Sequence, residues 1–212
     1  MNIAPSLPAV NFAEPDDGQE LARAEVYGLL AQLFYAPPTK ALYGQFQVAV
    51  TVAPVTGAFL EGSWSELVAT ARRLDRDAIR REFDALFQGI GKPEIFLYAS
   101  FYLSGKLNEK PLVDLRHSLR ALGLERAEGI GETEDHVASL CEVMRFLIAG
   151  EDVGTSNLAA QRRFFDAHLR PWVETLCDAI EANPVADFYR AVARFSRDFF
   201  AVEAEGFELL DA

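Results

Sequence analysis

Apolar residues recur along this chain with the spacing of α-helices. They fall three and four residues apart, as on one buried helix face, and the clearest stripe runs from Val137 through Leu140 and Met144 to Leu147. One aromatic-rich segment, residues 93–103, has the local composition of a strand, but the sequence offers no second strand to pair with it. We therefore predict an all-α protein, a single helical bundle of roughly eight helices, in which this segment is an ordered loop or a short helix.

Prolines, glycines and capping residues predict where several helices begin and end. Pro37-Pro38 stops the first helix, and Thr39 is placed to cap the second. Residues 41–60 carry no charge over the length of a membrane span, but glycine, proline and polar residues interrupt them. This stretch is better explained as a buried helix followed by a loop than as a membrane segment.

The second half of the chain is predicted to hold a long helix and a hinge. The long helix runs from Leu158 to Ile180 with a kink at Pro171. The connector Gly129–Gly131 is the best hinge, and it could join two helical halves of the bundle. Residues 1–18 are expected to form a flexible N-terminal tail, and residues 19–212 the all-helical domain.

Composition narrows the range of partners. Asp and Glu number 32 against 20 Lys and Arg, so the formal net charge is −12. A surface with this charge repels nucleic acid and anionic lipid and favours a cationic partner. An acidic balance also keeps a protein in solution, and this explanation needs no partner. The first 18 residues contain no Lys or Arg and do not look like an export signal. Cys141 and Cys177 lie within helical apolar patterns and are interpreted as buried thiols.

The candidate chemistry is concentrated at the start of the Val137 stripe, in Gly131-Glu132-Thr133-Glu134-Asp135-His136. A structural interpretation makes Thr133 the N-cap and lets the acids interact with the positive helix end. An enzymatic interpretation pairs a carboxylate with an imidazole. The sequence has no nucleophile elbow and no phosphate-binding loop, and His117, His136 and His168 fit no metal-binding template.

We therefore expect no catalytic residue, no metal and no cofactor. Two alternatives stay open. One is a helical metal-binding protein or hydrolase that uses Glu132, Asp135 and His136; the other is a scaffold that binds a mature partner protein.

Five separated strings resemble motifs of the TorD/DmsD-type maturation chaperones of molybdenum-containing redox enzymes. Residues 132–136 resemble that family's E-P-x-D-H motif, with Thr133 in place of proline. The other four, in register from about Leu21 to Val202, are Phe83-Asp84-Ala85-Leu86-Phe87-Gln88-Gly89, Tyr98-Ala99-Ser100-Phe101-Tyr102, His168-Leu169-Arg170-Pro171-Trp172 and Phe188-Tyr189.

The resemblance implies a cytoplasmic, non-enzymatic chaperone that binds the twin-arginine signal peptide or apoprotein of a molybdoenzyme, assists cofactor insertion and delays export. The client would be a formate dehydrogenase or a DMSO/TMAO-type reductase. We expect no nucleic acid partner and no integral membrane segment. Nucleotide binding stays open, as do a monomer and a domain-swapped homodimer.

A peptide with an arginine pair and an apolar stretch needs a receptor with acids beside an apolar groove. We therefore expect Glu132 and Asp135 to face the arginines. His136 would organise the Asp135 carboxylate or hydrogen-bond the peptide. The groove and its surroundings would be formed by Leu86, Phe87, Tyr98, Ser100 and Tyr102.

Overall fold

The computed structural model describes residues 15–51, 60–89, 92–127, 129, 131–150, 152 and 154–209. Over these residues the chain forms ten α-helices and no strand longer than a single bridging residue. The helices are α1 Pro15–Tyr35, α2 Lys40–Val48, α3 Glu61–Arg73, α4 Arg76–Phe87, α5 Ala99–Ser104, α6 Lys110–Ala121, α7 Val137–Ala149, α8 Leu158–His168, α9 Val173–Ala182 and α10 Phe188–Glu208. The all-α prediction is confirmed.

Two long helices organise the packing of the bundle. The N-terminal helix α1 lies along α7, and the C-terminal helix α10 packs against α9, α3 and α4. The buried face of α10 contains Phe188, Val192, Phe195 and Phe199, the stripe that helical spacing predicts. One continuous hydrophobic core therefore connects the first helix to the last.

The predicted long helix with a kink at Pro171 is instead two helices, α8 and α9. Proline lacks the backbone N–H that would bond one turn back, and its ring clashes with the carbonyl at that position. The chain therefore turns between His168 and Val173. The Trp172 indole N–H closes this turn by donating to the His168 carbonyl oxygen at 2.7 Å.

Helix α1 extends into the predicted N-terminal tail. It begins at Pro15, a residue that suits the first helical turn because it has no N–H to leave unpaired. Residues 15–18 are therefore helical. The rest of the predicted tail, residues 1–14, lies outside the described residues, and the division of the chain into a tail and a helical domain stays a prediction.

The charge-free stretch, residues 41–60, contains all of helix α2 except its first residue, Lys40. The helix is present as predicted, but it is buried only at Leu42 and Phe46. Thr39 caps it, because its Oγ1 accepts a hydrogen bond from the Leu42 N–H at 3.1 Å. The predicted loop falls largely on residues 52–59, which the structure does not describe. Across the described residues, no helix is long and apolar enough to span a bilayer.

The glycine connector joins α6 to α7. Gly129 has a φ of +84°, a left-handed conformation that glycine adopts without steric cost. Glu128 and Ile130 beside it are outside the described residues. Exchange of helical halves about this connector stays a prediction.

Candidate functional site

The aromatic segment 93–103 and the acidic motif 131–136 lie side by side. The Val137 N–H donates to the Leu97 carbonyl oxygen at 2.8 Å, and the Ala99 N–H donates to the Asp135 carbonyl oxygen at 3.0 Å. Tyr98 and His136 thereby form an isolated antiparallel bridge. The segment enters the short helix α5, as predicted, and its backbone finds partners without a sheet.

Asp135 lies inside the protein, with 1% of its surface exposed. Its Oδ2 accepts from the Ser100 N–H at 2.9 Å, and its Oδ1 accepts from the Thr133 hydroxyl at 2.6 Å. Because Ser100 is in the first turn of α5, the carboxylate caps a helix that is distant in sequence. Asp135 therefore does not reach the outer surface where we expected it to meet an arginine pair.

His136, not Thr133, is the N-cap of α7. Its Nδ1 accepts a hydrogen bond from the Ala138 N–H at 3.2 Å, so the ring proton is on Nε2. Its buried ring meets the Tyr98 ring edge-on, with centroids 5.1 Å apart. Burial lowers the pKa of His136 to about 4, against the opposing charges of Glu132 and Asp135. His136 is thus neutral at pH 7, and its ring caps the helix rather than orienting the Asp135 carboxylate.

The two glutamates of the motif differ in their partners. Arg116 holds Glu134 with two hydrogen bonds, at 3.0 and 2.9 Å. Partial burial opposes ionisation of Glu134, but the hydrogen bonds and charge of Arg116, a backbone hydrogen bond and the charge of Arg126 together lower its pKa. Glu132 has a tyrosine as its side-chain partner, since the Tyr98 hydroxyl donates to Glu132 Oε2. Glu132 is therefore the motif acid that is best placed to meet a cation from solvent.

Three half-buried rings form an aromatic cluster beside this junction, namely Phe96, Phe101 and Tyr102. The Phe96 and Phe101 centroids are 4.2 Å apart, and those of Phe101 and Tyr102 are 5.3 Å apart. Tyr102 also stacks on Trp172 at 5.3 Å. We did not predict Phe96 and Phe101 as site residues, although their place in the aromatic-rich segment could have indicated them.

Two of the predicted groove residues lie in the core. Leu86 and Ser100 have no exposed surface. Ser100 instead accepts from the Asn108 N–H through its hydroxyl, at 3.2 Å. Phe87 is half-buried and packs edge-on against Tyr189, with centroids 5.0 Å apart. Of the expected contact residues, Phe87, Tyr98, Tyr102 and Glu132 keep accessible surface.

A small pocket of about 350 Å³ lies behind Asp135, between α5, α6 and α8. At its wall, His168 Nε2 is 2.8 Å from Ser118 Oγ. Burial lowers the pKa of His168, against the charge of Asp114. For the segment around His168 the sequence predicted only a kink at Pro171, and this pocket was missed. Its lining consists of Ala99, Leu103, Pro111, Asp114, Leu115, Ser118, Asp135, Leu140, Ala167 and His168.

A larger groove of about 1,370 Å³ lies between α1, α2, α3 and α7. Its walls are mostly apolar and include Val26, Phe46 and Trp64, with Glu25 and Glu142 among its polar members. Residues 52–59, which connect Thr51 and Leu60 at its edge, are not described. This groove could not be predicted from the sequence, because it forms between helices that are far apart along the chain.

The described residues contain no group of three His, Cys, Asp or Glu side chains that could hold a metal ion. Cys141 and Cys177 are both buried free thiols, as predicted. Burial raises the pKa of Cys177 to about 12, so this thiol stays protonated at neutral pH.

Comparison with known proteins identifies relatives across most of the chain. The family model described as the nitrate reductase delta subunit matches residues 57–178. The chaperone protein TorD of Vibrio cholerae is 28% identical over 193 residues, covering 84% of this chain and 88% of the relative. TorD of Aliivibrio fischeri is 26% identical over 200 residues, covering 86% and 93%.

A solved structure supports the same fold. It is described as a redox enzyme maturation protein from Archaeoglobus fulgidus, and it matches with a TM-score of 0.54 at 17% identity, covering 86% of this chain and 93% of that one. The relatives are named for chaperone and maturation roles and not for catalysis, in agreement with the prediction that this chain is not an enzyme. With more than half of its residues matched by the family model, the chain belongs to the nitrate reductase delta subunit family, among the TorD-type redox enzyme maturation chaperones.

Proposed function

We propose that this maturation chaperone acts in the cytoplasm and binds the twin-arginine signal peptide of a molybdenum-containing oxidoreductase, assisting cofactor insertion and delaying export. The client would be a formate dehydrogenase or a DMSO/TMAO-type reductase. The observation that carries the proposal is the half-buried aromatic cluster next to Glu132, where the two motif segments meet. This surface offers an acid and half-buried aromatic rings within one small region.

The binding free energy of such a peptide requires a surface that offers apolar contacts as well as charge. Micromolar affinity corresponds to about 8 kcal/mol, whereas an exposed ion pair contributes only about 0–1 kcal/mol. Apolar and aromatic contacts must therefore supply most of the affinity. Acids contribute mainly orientation and selectivity, and the net charge of −12 favours encounter with a cationic segment.

Aromatic faces suit both parts of the peptide, because they pack against apolar side chains and also attract cations. The Lys92 ammonium already lies over the Phe96 ring, 5.7 Å from its centroid. We assign direct peptide contact to Glu132, Tyr98, Tyr102 and Phe87, together with Phe96 and Phe101. The buried residues Leu86, Ser100, Asp135 and His136 would hold this surface in shape.

Calorimetric titration with a synthetic peptide that carries an arginine pair and an apolar stretch tests the proposal. Glu132→Gln should weaken binding about fivefold, since it removes one charge while the amide oxygen can still accept from Tyr98. Phe101→Ala should weaken binding tenfold or more, as expected for an aromatic anchor. Glu205→Gln, an equal charge change at an exposed site near the end of α10, should bind like the wild type.

The proposal fails if the wild-type protein does not bind this peptide, or if both site variants bind it as the wild type does. Binding to a client protein from which the signal segment has been deleted would instead favour the scaffold alternative. Circular dichroism of each variant would verify that its helices are intact.

A further inference from the structure

We propose that the pocket between α5, α6 and α8 is a guanidinium subsite, which takes the side chain of one arginine of the client peptide with Asp114 as its charged ligand. This inference rests on the proposed function and names residues that neither the motif nor the aromatic cluster includes. Three independent features of the pocket support it: the chemistry of its wall, its size, and its place beside the aromatic cluster.

The described residues that line the pocket include hydrogen-bond acceptors and neither lysine nor arginine. Its polar members are Asp114, Asp135, Ser118 and His168. The Asp135 carboxylate already accepts from Ser100 and Thr133, so Asp114 is the acid that a cation in the pocket would meet. A guanidinium group has five N–H donors and no acceptor, and its planar fork matches carboxylate geometry. A cation with several donors is therefore the ligand that this wall complements best.

The imidazole on this wall does not oppose a bound cation. Burial lowers the pKa of His168 below its ordinary value, against the charge of Asp114. The ring is therefore uncharged at neutral pH and does not repel a guanidinium group. Its Nε2 lies 2.8 Å from Ser118 Oγ.

The size and rim of the pocket suit an arginine side chain. Its volume of about 350 Å³ is at the small end of ligand pockets. At the rim, Leu103 is 41% exposed and Pro111 is half-buried. These apolar groups can cover the methylene stem of an arginine while its head reaches the Asp114 carboxylate.

The pocket is also close to the proposed peptide surface. Helix α5 is only six residues long, about 9 Å. It contributes Ala99 and Leu103 to the pocket, and Phe101 and Tyr102 to the aromatic cluster. One extended peptide can therefore place an arginine in the pocket and its next apolar residues on the cluster.

Lys110 competes for the same carboxylate. Its Nζ lies 2.5 Å from Asp114 Oδ2, and its side chain is 82% exposed. An exposed pair of this kind is weak, so an incoming guanidinium can displace it. Removal of Lys110 should therefore tighten arginine binding, the opposite of the effect of removing Asp114.

The test compares two synthetic peptides that differ only in an Arg-Arg or a Lys-Lys pair ahead of the same apolar stretch. The wild-type protein should prefer Arg-Arg about fivefold or more, because lysine lacks the fork geometry. Asp114→Asn should reduce this preference to less than about twofold, and Lys110→Gln should increase affinity for the Arg-Arg peptide about two- to threefold.

A steric variant keeps every charge in place. Ala167 is an exposed residue of α8 at the pocket, so Ala167→Leu should fill the pocket entrance and remove the preference for arginine. Ala159→Leu is its matched control, since Ala159 is exposed on the same helix and does not line the pocket. This control should keep the wild-type preference.

The outcomes separate the two proposals. If the wild-type protein does not bind the Arg-Arg peptide, the proposed function itself fails. If it binds and prefers arginine, but Asp114→Asn and Ala167→Leu keep that preference, only the guanidinium subsite is wrong. An equal loss of affinity for both peptides in Ala167→Leu would also overturn the subsite, because the pocket would then contact the peptide without recognising arginine.

Discussion

Buried polar side chains in this protein mostly serve the backbone. Asp135 and His136 are adjacent in the motif, yet each caps a different helix: the Asp135 carboxylate serves α5, and the His136 ring serves α7. A buried donor left without a partner costs about 1–3 kcal/mol. The pair therefore fixes the shape of the surface on which Glu132 and the aromatic cluster lie.

Asp135→Ala should lower the free energy of unfolding by about 2–4 kcal/mol, because the Ser100 N–H and the Thr133 hydroxyl both lose their acceptor. Asp135→Asn should lose less, since its amide oxygen can still accept from Ser100. Urea unfolding measures both variants. If the alanine variant is as stable as the wild type but has lost peptide binding, Asp135 contacts the peptide directly instead of capping α5.

The neutral form of His136 should make stability depend on pH. Its pKa is about 4 in the folded protein against an ordinary 6.5, so the unfolded chain takes up the proton first. The stability that depends on the neutral ring is present above pH 6.5 and is lost progressively as the pH falls from 6.5 to 4. Between pH 7 and pH 5 this single site should cost about 2 kcal/mol.

His136→Asn tests this, because asparagine is also a good N-cap and does not titrate. Urea unfolding gives the free energy of unfolding of each protein at pH 7 and at pH 5. The decrease from pH 7 to pH 5 should be about 2 kcal/mol smaller in the variant than in the wild type. The pKa of His168 is also lowered, but His168 is present in both proteins and cancels in the comparison. An equal loss in both proteins would contradict the prediction.

Helix α10 depends on a carboxylate from α4 for its first turn. Glu82 Oε1 accepts from the N–H groups of Asp187 and Tyr189 at 2.8 and 2.7 Å, and its Oε2 accepts from Phe188 at 3.0 Å. Burial raises the pKa of Glu82, while these three hydrogen bonds act to lower it. One side chain thus satisfies donors that a helix start leaves without intrahelical partners.

Glu82→Ala should lower the free energy of unfolding by about 2–4 kcal/mol and speed hydrogen exchange at the Phe188 and Tyr189 amides. Glu82→Gln, which keeps one acceptor oxygen, should show a smaller effect on both. Asp84→Ala, at an exposed position of the same helix, should change stability by less than about 0.5 kcal/mol. Exchange at wild-type rates in Glu82→Ala would show that the cap is not needed.

The two ends of the described chain are joined by a largely buried ion pair. Arg23 of α1 donates to both carboxylate oxygens of Glu203 of α10, at 2.7 and 2.8 Å, and the Tyr27 hydroxyl donates to Glu203 at 3.0 Å. Because α1 also lies along α7, the first helix is held against two helices from the second half of the chain.

The sequence by itself determined the helical class, the Thr39 cap, the buried face of α10, the buried thiols and the two segments that form the candidate site. These features depend on helical periodicity and on residues within one turn of each other, which are local properties of the chain. The register of the motif strings likewise pointed to the family that the comparisons show.

Only the tertiary structure decided which side chains of those segments face solvent. Asp135 turns inward because the start of α5, 35 residues earlier, needs an acceptor, and Phe101 keeps exposed surface because no described element covers it fully. Glu82 and the pocket beside Asp114 likewise depend on partners from distant parts of the chain. The exposed fraction of a residue depends on what packs opposite it in the fold. The spacing of residues along one helix does not contain that information.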